Sequence, residues 1–120
     1  MNNGFISPDR HGLFNYGFSI VGLGLPALLG LSGAARGLPA SLGLEVGMLT
    51  AFTRHRYAMK RTIPLSTHGR IETVLVPAYF LAIVASGALD QRGARVFFAS
   101  YLAAAVTTFF LTDYNAKPER

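Results

Sequence analysis

Four apolar runs, each long enough to approach the thickness of a bilayer, limit what this chain can fold into more than any other feature. They are residues 13–31, 38–52, 71–89 and 96–111, and nearly all charged residues lie between them or at the ends. A helix needs about 20 apolar residues to cross the hydrocarbon core. In lipid only helices and closed barrels satisfy their own backbone. The pattern predicts an all-α membrane protein with four transmembrane helices arranged as two tandem helical hairpins.

Composition agrees with this fold class. The chain has 120 residues, enough for one domain, and is 51% hydrophobic with only 14% charged residues. Its net charge of +5 comes from basic residues at predicted helix ends, where topology and anionic lipid account for them. We therefore expect no nucleic-acid partner. The cluster Arg54, Arg56, Lys60 and Arg61 is expected to face anionic lipid or a partner protein, or to act only as a topology determinant.

The distribution of Lys and Arg predicts the orientation. Eight lie on the side of the termini and the central loop, against three on the other side. The two sets are Arg10, Arg54, Arg56, Lys60, Arg61, Arg70, Lys117 and Arg120 on one side, and Arg36, Arg92 and Arg95 on the other. The positive-inside rule places both termini in the cytoplasm, and we expect a multi-pass protein of a bacterial inner membrane.

The two halves of the sequence resemble each other at landmark positions. An ungapped shift that places His11 on His68 also places Gly30 on Gly87 and Tyr57 on Tyr114. This predicts two repeats, about residues 11–60 and 68–117, in one membrane domain. A duplicated two-helix unit keeps its orientation, so the halves are expected to be parallel.

The second helix of each predicted repeat carries a pattern of small residues. Gly43 and Gly47 align with Ser100 and Ala104. Small residues four positions apart let helix backbones approach closely in lipid. We therefore expect the helices to pack on these faces, although Gly and Ala are also simply common in membrane helices.

Several short motifs bear a family resemblance. They are His11-Gly12-Leu13-Phe14-Asn15-Tyr16, Leu25-Pro26-Ala27-Leu28-Leu29-Gly30, Arg61-Thr62-Ile63-Pro64 and Leu111-Thr112-Asp113-Tyr114. Over residues 11 to 114 the chain resembles the bacterial SPW-repeat membrane proteins, with Leu25-Pro26-Ala27 in place of Ser-Pro-Trp and no Trp in the chain. The resemblance implies a compact four-helix membrane unit of no established biochemical activity.

Two sets of ionisable residues could carry chemistry. Glu45 is the one ionisable residue in the interior of a predicted span, which makes it a candidate for ion coupling or for pairing with a neighbouring helix. His11 and His68 are followed one turn later by Asn15 and Glu72. Two such faces could bind a metal, a haem, a chlorophyll-type pigment or a quinone head group. Three histidines without cysteine are a thin ligand set, so no metal site is assigned.

The sequence offers little for catalysis. It has no cysteine and no recognisable catalytic motif, and His55 in the basic loop is expected to be solvated or to lie near lipid phosphate. We expect no enzyme. The leading hypothesis is an accessory subunit of a larger membrane assembly, of respiratory or photosynthetic type. The alternative is a small homo-oligomeric protein that binds a ligand or cofactor, or couples transport to an ion.

Overall fold

Residues 5–116, the part of the chain that the computed structural model describes, fold into four α-helices. The helices are α1 (Pro8–Leu28), α2 (Ala34–Ala51), α3 (Leu65–Ala85) and α4 (Ala94–Leu111), with a short 3-10 turn at Ala88–Asp90. No β-strand occurs within the described residues. The prediction of an all-α protein is therefore confirmed. Lys117 and Arg120, used above to predict the orientation, lie outside the described residues, as does the predicted end of the second repeat at 117.

Local sequence signals explain where the long helices start and stop. Ser7 caps α1, its Oγ accepting the backbone N–H of Arg10 at 3.3 Å, and Pro8 occupies the first turn, where no N–H is needed. Gly30 and Gly87 follow α1 and α3 with φ of +76° and +78°, a conformation that favours glycine. Each long helix thus ends just before a glycine that reverses the chain.

At one end of the bundle, two short backbone bridges join the segments that flank the four helices. Ile6, before α1, pairs with Thr112, after α4. Thr53, after α2, pairs in the same way with Ile63, before α3. At the opposite end the side chain of Gln91 bonds the backbone N–H and C=O of Ser32 at 3.0 and 2.8 Å. The start of α1, the end of α2, the start of α3 and the end of α4 therefore surround one space.

The closest helix packing lies between α1 and α2. A Cβ on Gly43 would lie 2.7 Å from the backbone oxygen of Ser19, and one on Gly47 would lie 2.6 Å from the Ser19 hydroxyl. The Ser19 hydroxyl donates to the carbonyl of Gly43. The structure thus places Gly43 and Gly47 on a packing face, where the absence of a side chain permits the contact.

The apolar core occupies the half of the bundle away from the two bridges. Phe18 and Tyr101 stack with ring centroids 3.8 Å apart. The Tyr101 hydroxyl donates to the backbone oxygen of Phe18 at 2.8 Å, which fastens α4 to α1. The remaining core residues are Leu31, Ala35, Leu42, Val46, Ile83, Ala88, Ala94, Phe97 and Phe98.

Among the described residues, two of the four helices are long and apolar enough to cross a membrane. They are α3 and α4, with mean hydropathies of 1.2 and 1.6. Only 17% and 22% of these spans are buried inside the protein. They therefore differ from the core helices of a soluble domain, which are mostly buried. The prediction of spanning helices is supported for α3 and α4, whereas α1 and α2 do not meet the same criterion.

No single shift in residue number aligns both helices of the first half with both helices of the second half. The shift that pairs the two histidines also pairs Pro8 with Leu65, the first residues of α1 and α3. It pairs Ala34, the first residue of α2, with Gln91, which precedes the start of α4 at Ala94. The ungapped alignment of the sequence therefore pairs the wrong residues in the second helix of each half. The small residues of α4 that it aligns with those of α2 consequently have different surroundings.

Candidate functional site: a buried histidine and glutamate centre

Two histidines meet where the four helices converge. His11 on α1 and His68 on α3 are 1% and 0% exposed. Their Nε2 atoms lie 3.3 Å apart, and the rings meet edge to face at an interplanar angle of 85°. The sequence pointed to this pair through its equivalent positions in the two predicted repeats, and the structure brings the two side chains into direct contact.

Glu72 and Asn15 complete the centre. Each lies one helical turn after a histidine, which puts it on the same helix face. Glu72 Oε1 lies 3.2 Å from His11 Nε2 and 3.1 Å from His68 Nε2. The Asn15 amide nitrogen lies 3.1 Å from His11 Nε2 and 2.9 Å from His68 Nε2. Four polar side chains from two helices thus converge on one point.

Two threonines fix how the imidazoles are turned. His68 Nδ1 lies 2.7 Å from the hydroxyl of Thr53, which itself donates to the carbonyl of Leu49 at 2.7 Å. His11 Nδ1 lies 2.7 Å from the hydroxyl of Thr112, which donates to the carbonyl of Thr108. A hydroxyl has one hydrogen, so each threonine oxygen must accept from the histidine. Both histidines therefore carry a hydrogen on Nδ1.

A cavity in the bundle leads to this centre. It has a volume of about 410 Å³ and lies between α1, α3 and α4. Its lining is mainly apolar, and Asn15 and Glu72 contribute polar groups. A second cavity of about 160 Å³ between α3 and α4 also reaches Glu72. The carboxyl group therefore borders both spaces, whereas the two histidines are enclosed.

His55 forms a second buried site beside the centre, contrary to the expectation of a solvated loop residue. It is 1% exposed, and its ring packs on Gly12, where a Cβ would lie 2.6 Å from the ring. Its Nε2–H donates to the carbonyl of Thr50 at 2.7 Å, and its Nδ1 accepts the backbone N–H of Tyr57 at 3.1 Å. Burial lowers the pKa of His55 below the usual 6.5, although the bond to Thr50 opposes this shift. The ring is held neutral.

The other predicted site residues lie elsewhere. Glu45 lies well inside α2 along the chain, and its side chain is exposed on the outer face of this helix, beside Tyr79 of α3 and away from the centre. Ser100 and Ala104 are exposed and line the larger cavity. The basic residues of the central loop are exposed, namely Arg54, Arg56, Lys60 and Arg61.

Sequence reasoning missed Thr53 and Thr112, which orient the two histidines. The ungapped shift that pairs the histidines places Thr53 on Phe110, so it does not pair the threonines. The missed signal is a threonine within two residues of the end of the second helix of each half. Thr53 follows α2, which ends at Ala51, and Thr112 follows α4, which ends at Leu111. An alignment allowing a gap between the helices of a repeat would have paired them.

The buried neutral His55 predicts a loss of stability at acidic pH. Its pKa is lower in the folded chain than in the unfolded one, so unfolding takes up a proton between the two values. Stability should fall as the pH drops below about 6.5, by up to about 1.4 kcal/mol per pH unit from this group. Thermal unfolding in detergent, followed by circular dichroism, measures the slope.

The variant His55→Gln isolates this contribution, because His11 and His68 stay in place. Glutamine can still donate to Thr50 but does not titrate. The variant should show a shallower loss of stability below pH 6.5. Equal slopes for the two proteins would show that His55 is not the group responsible.

No family model, curated protein or solved structure matches this chain.

Proposed function

We propose that this chain is an integral membrane protein that binds an amphiphilic ligand from the bilayer at the His11, His68 and Glu72 centre. A membrane location is supported because polar side chains lie in the interior and apolar side chains on the surface, the reverse of the arrangement in a soluble protein. The buried polar residues include all three histidines, whereas large apolar side chains are exposed on every helix. Examples are Ile20, Met48, Val74 and Phe110, exposed by 70, 57, 71 and 74%. Water penalises such a surface and lipid does not.

The same argument supports a membrane location for α1 and α2. These helices pack closely on each other, they have 21 and 18 residues, and they lie beside α3 and α4, which have the same lengths. Their exposed residues Leu23, Leu28 and Leu44 are apolar. We therefore infer that all four helices span the membrane together, with the polar end and its exposed basic loop in the cytoplasm.

The ligand class follows from the cavity. Its volume of about 410 Å³ falls in the range of small-molecule sites, which are mostly apolar with a few placed polar groups. An apolar chain would lie against Phe18, Val21 and Val76, and a hydrogen-bonding head group would reach Asn15 and Glu72. The observation that carries this proposal is one apolar cavity ending at one buried polar centre. A quinone has this shape and polarity.

Filling the cavity should abolish ligand binding. Ala105 lines the cavity, so Ala105→Phe would occupy space that a ligand chain needs. We expect decylubiquinone, added to the purified protein in mild detergent, to form a one-to-one complex in native mass spectrometry. Its occupancy should fall at least tenfold in Ala105→Phe.

Ala103→Phe is the matched control, since Ala103 is exposed on the same helix and does not line the cavity. It should bind the quinone like the unmodified protein. Equal loss in both variants, or equal retention in both, would contradict binding in this cavity.

The membrane topology can be tested directly because the chain has no cysteine. Ser32 and Ser66 are both exposed, at opposite ends of the bundle. In intact cells a membrane-impermeant maleimide should label Ser32→Cys, whereas Ser66→Cys should react only after lysis. Labelling of Ser66→Cys in intact cells would reverse the orientation. Absence of labelling at both Ser32→Cys and Ser66→Cys until lysis would contradict spanning by α1 and α2.

A second function, that of an accessory subunit in a larger membrane assembly, is favoured by Glu45. This carboxyl group lies on the outer face of α2 next to Tyr79, between the exposed apolar residues Leu44 and Met48. An ionisable group facing lipid is costly, by a few kcal/mol at the membrane centre. A polar group of a partner helix against Glu45 would offset this cost.

Partner binding through Glu45 predicts co-purification that depends on this residue. In mild detergent at native expression, a partner membrane protein should accompany the unmodified chain and be lost in Glu45→Leu. Arg92→Leu, which removes an exposed charge at the other end of the bundle, is the control and should keep the partner. If the unmodified chain purifies alone, the accessory function is excluded.

A further inference from the structure

We propose that His11, His68 and Glu72 bind a divalent first-row transition metal ion of the Zn²⁺ class, with Asn15 as the fourth ligand. This inference rests on the proposed function, because the ion would lie at the end of the cavity where the ligand head group binds. Its own support is a count of hydrogens and a set of distances at the centre.

The hydrogens of the two imidazoles point away from the centre. Thr53 and Thr112 each donate their one hydrogen to a helix carbonyl and so must accept from His68 and His11. Both imidazoles therefore carry their hydrogen on Nδ1 and direct the Nε2 lone pair inward. Histidine ligands of metals are held in this way by an outer hydrogen-bond partner.

Lone pairs exceed hydrogens at the centre. His11 Nε2, His68 Nε2 and Glu72 Oε1 are all acceptors, yet they lie 3.1 to 3.3 Å from one another. With both imidazoles neutral, the side-chain donor within residues 5–116 that contacts both Nε2 atoms and the Glu72 carboxyl group is the Asn15 amide. It has two hydrogens, and four acceptors lie around it at 2.9 to 3.4 Å. A buried carboxylate among lone pairs is costly unless a proton or a metal cation lies among them.

The distances match a four-coordinate ion. Five edges of a tetrahedron are set by these contacts: 3.3, 3.2 and 3.1 Å among His11, His68 and Glu72, and 3.1 and 2.9 Å from the Asn15 amide atom to the two histidine nitrogens. The Asn15 amide atom also lies 3.4 Å from Glu72 Oε2, the other carboxylate oxygen. A regular tetrahedron with edges of about 3.2 Å has its centre about 2 Å from each corner, the length of zinc bonds to nitrogen and oxygen. Rotating the Asn15 amide by half a turn presents its oxygen as the ligand.

The donor set also fits this class of ion. Two imidazole nitrogens and one carboxylate oxygen are the protein ligands of several catalytic zinc sites. Glu72 and Asn15 border the larger cavity, so a ligand in the cavity could displace the weakly held Asn15 oxygen and reach the ion. A bound ion would therefore make the polar end of the cavity a Lewis-acid site.

Metal content tests this inference without any lipid ligand. The protein is purified without chelator or metal-affinity chromatography, dialysed against a chelator, and titrated with Zn²⁺ or Co²⁺ in detergent. We expect one tightly bound ion per chain and, for Co²⁺, the intense visible absorption of tetrahedral coordination. His68→Ala and Glu72→Gln should weaken binding at least 100-fold.

His55→Gln is the control, because it changes the third histidine and leaves the centre intact. It should bind one ion with unchanged affinity. Thr53→Val preserves side-chain shape and removes the hydroxyl that accepts from His68 Nδ1 and donates to Leu49, and we expect it to weaken binding by about 10- to 100-fold. This variant keeps the test decisive if His68→Ala fails to fold.

The results separate this inference from the proposed function. If neither ion binds stoichiometrically to the unmodified protein, the metal site is overturned and a proton on one imidazole supplies the positive charge. Ion binding that is equal in the unmodified protein, Thr53→Val and Glu72→Gln would place the ion elsewhere and also overturn it. Quinone binding that is sensitive to Ala105→Phe would in either case still support the cavity.

Discussion

The contact between His11 and His68 is the interaction on which the rest of this structure depends. Each imidazole joins two separate segments: His11 on α1 bonds to Thr112 after α4, and His68 on α3 bonds to Thr53 after α2. The two rings then meet each other. A polar group without a partner in an apolar environment costs several kcal/mol, so every helix must reach the centre correctly for the bundle to close.

This arrangement explains why one region of the bundle can remain open. Close contact of α1 with α2 at Gly43, the stack of Phe18 on Tyr101, and the polar centre already hold the four helices. The space between α1, α3 and α4 is therefore free to form a cavity of about 410 Å³. A cavity of this size costs stability, which the fastened ends of the helices offset.

Much of the centre could be predicted from sequence, because its residues are related by short spacings along single helices. The spacing of His11 and His68 indicated equivalent positions, and a step of one helical turn gave Asn15 and Glu72. The threonines could not be found with an ungapped repeat, since the second helix of each half follows a different offset from the first. The outward position of Glu45 depends on the rotation of α2 about its axis, and this helix has only a weak division into polar and apolar faces.

Differences between the two halves give the centre its chemistry. Equivalent positions after the two histidines hold Asn15 and Glu72, a neutral amide and a carboxyl group. Two glutamates would place like charges close together in a buried site, where one of them would have to take up a proton. Two asparagines would leave no anion to attract a cation. One of each gives a single negative charge among neutral ligands, which is the electrostatic condition for holding one positive ion at the meeting point of the helices.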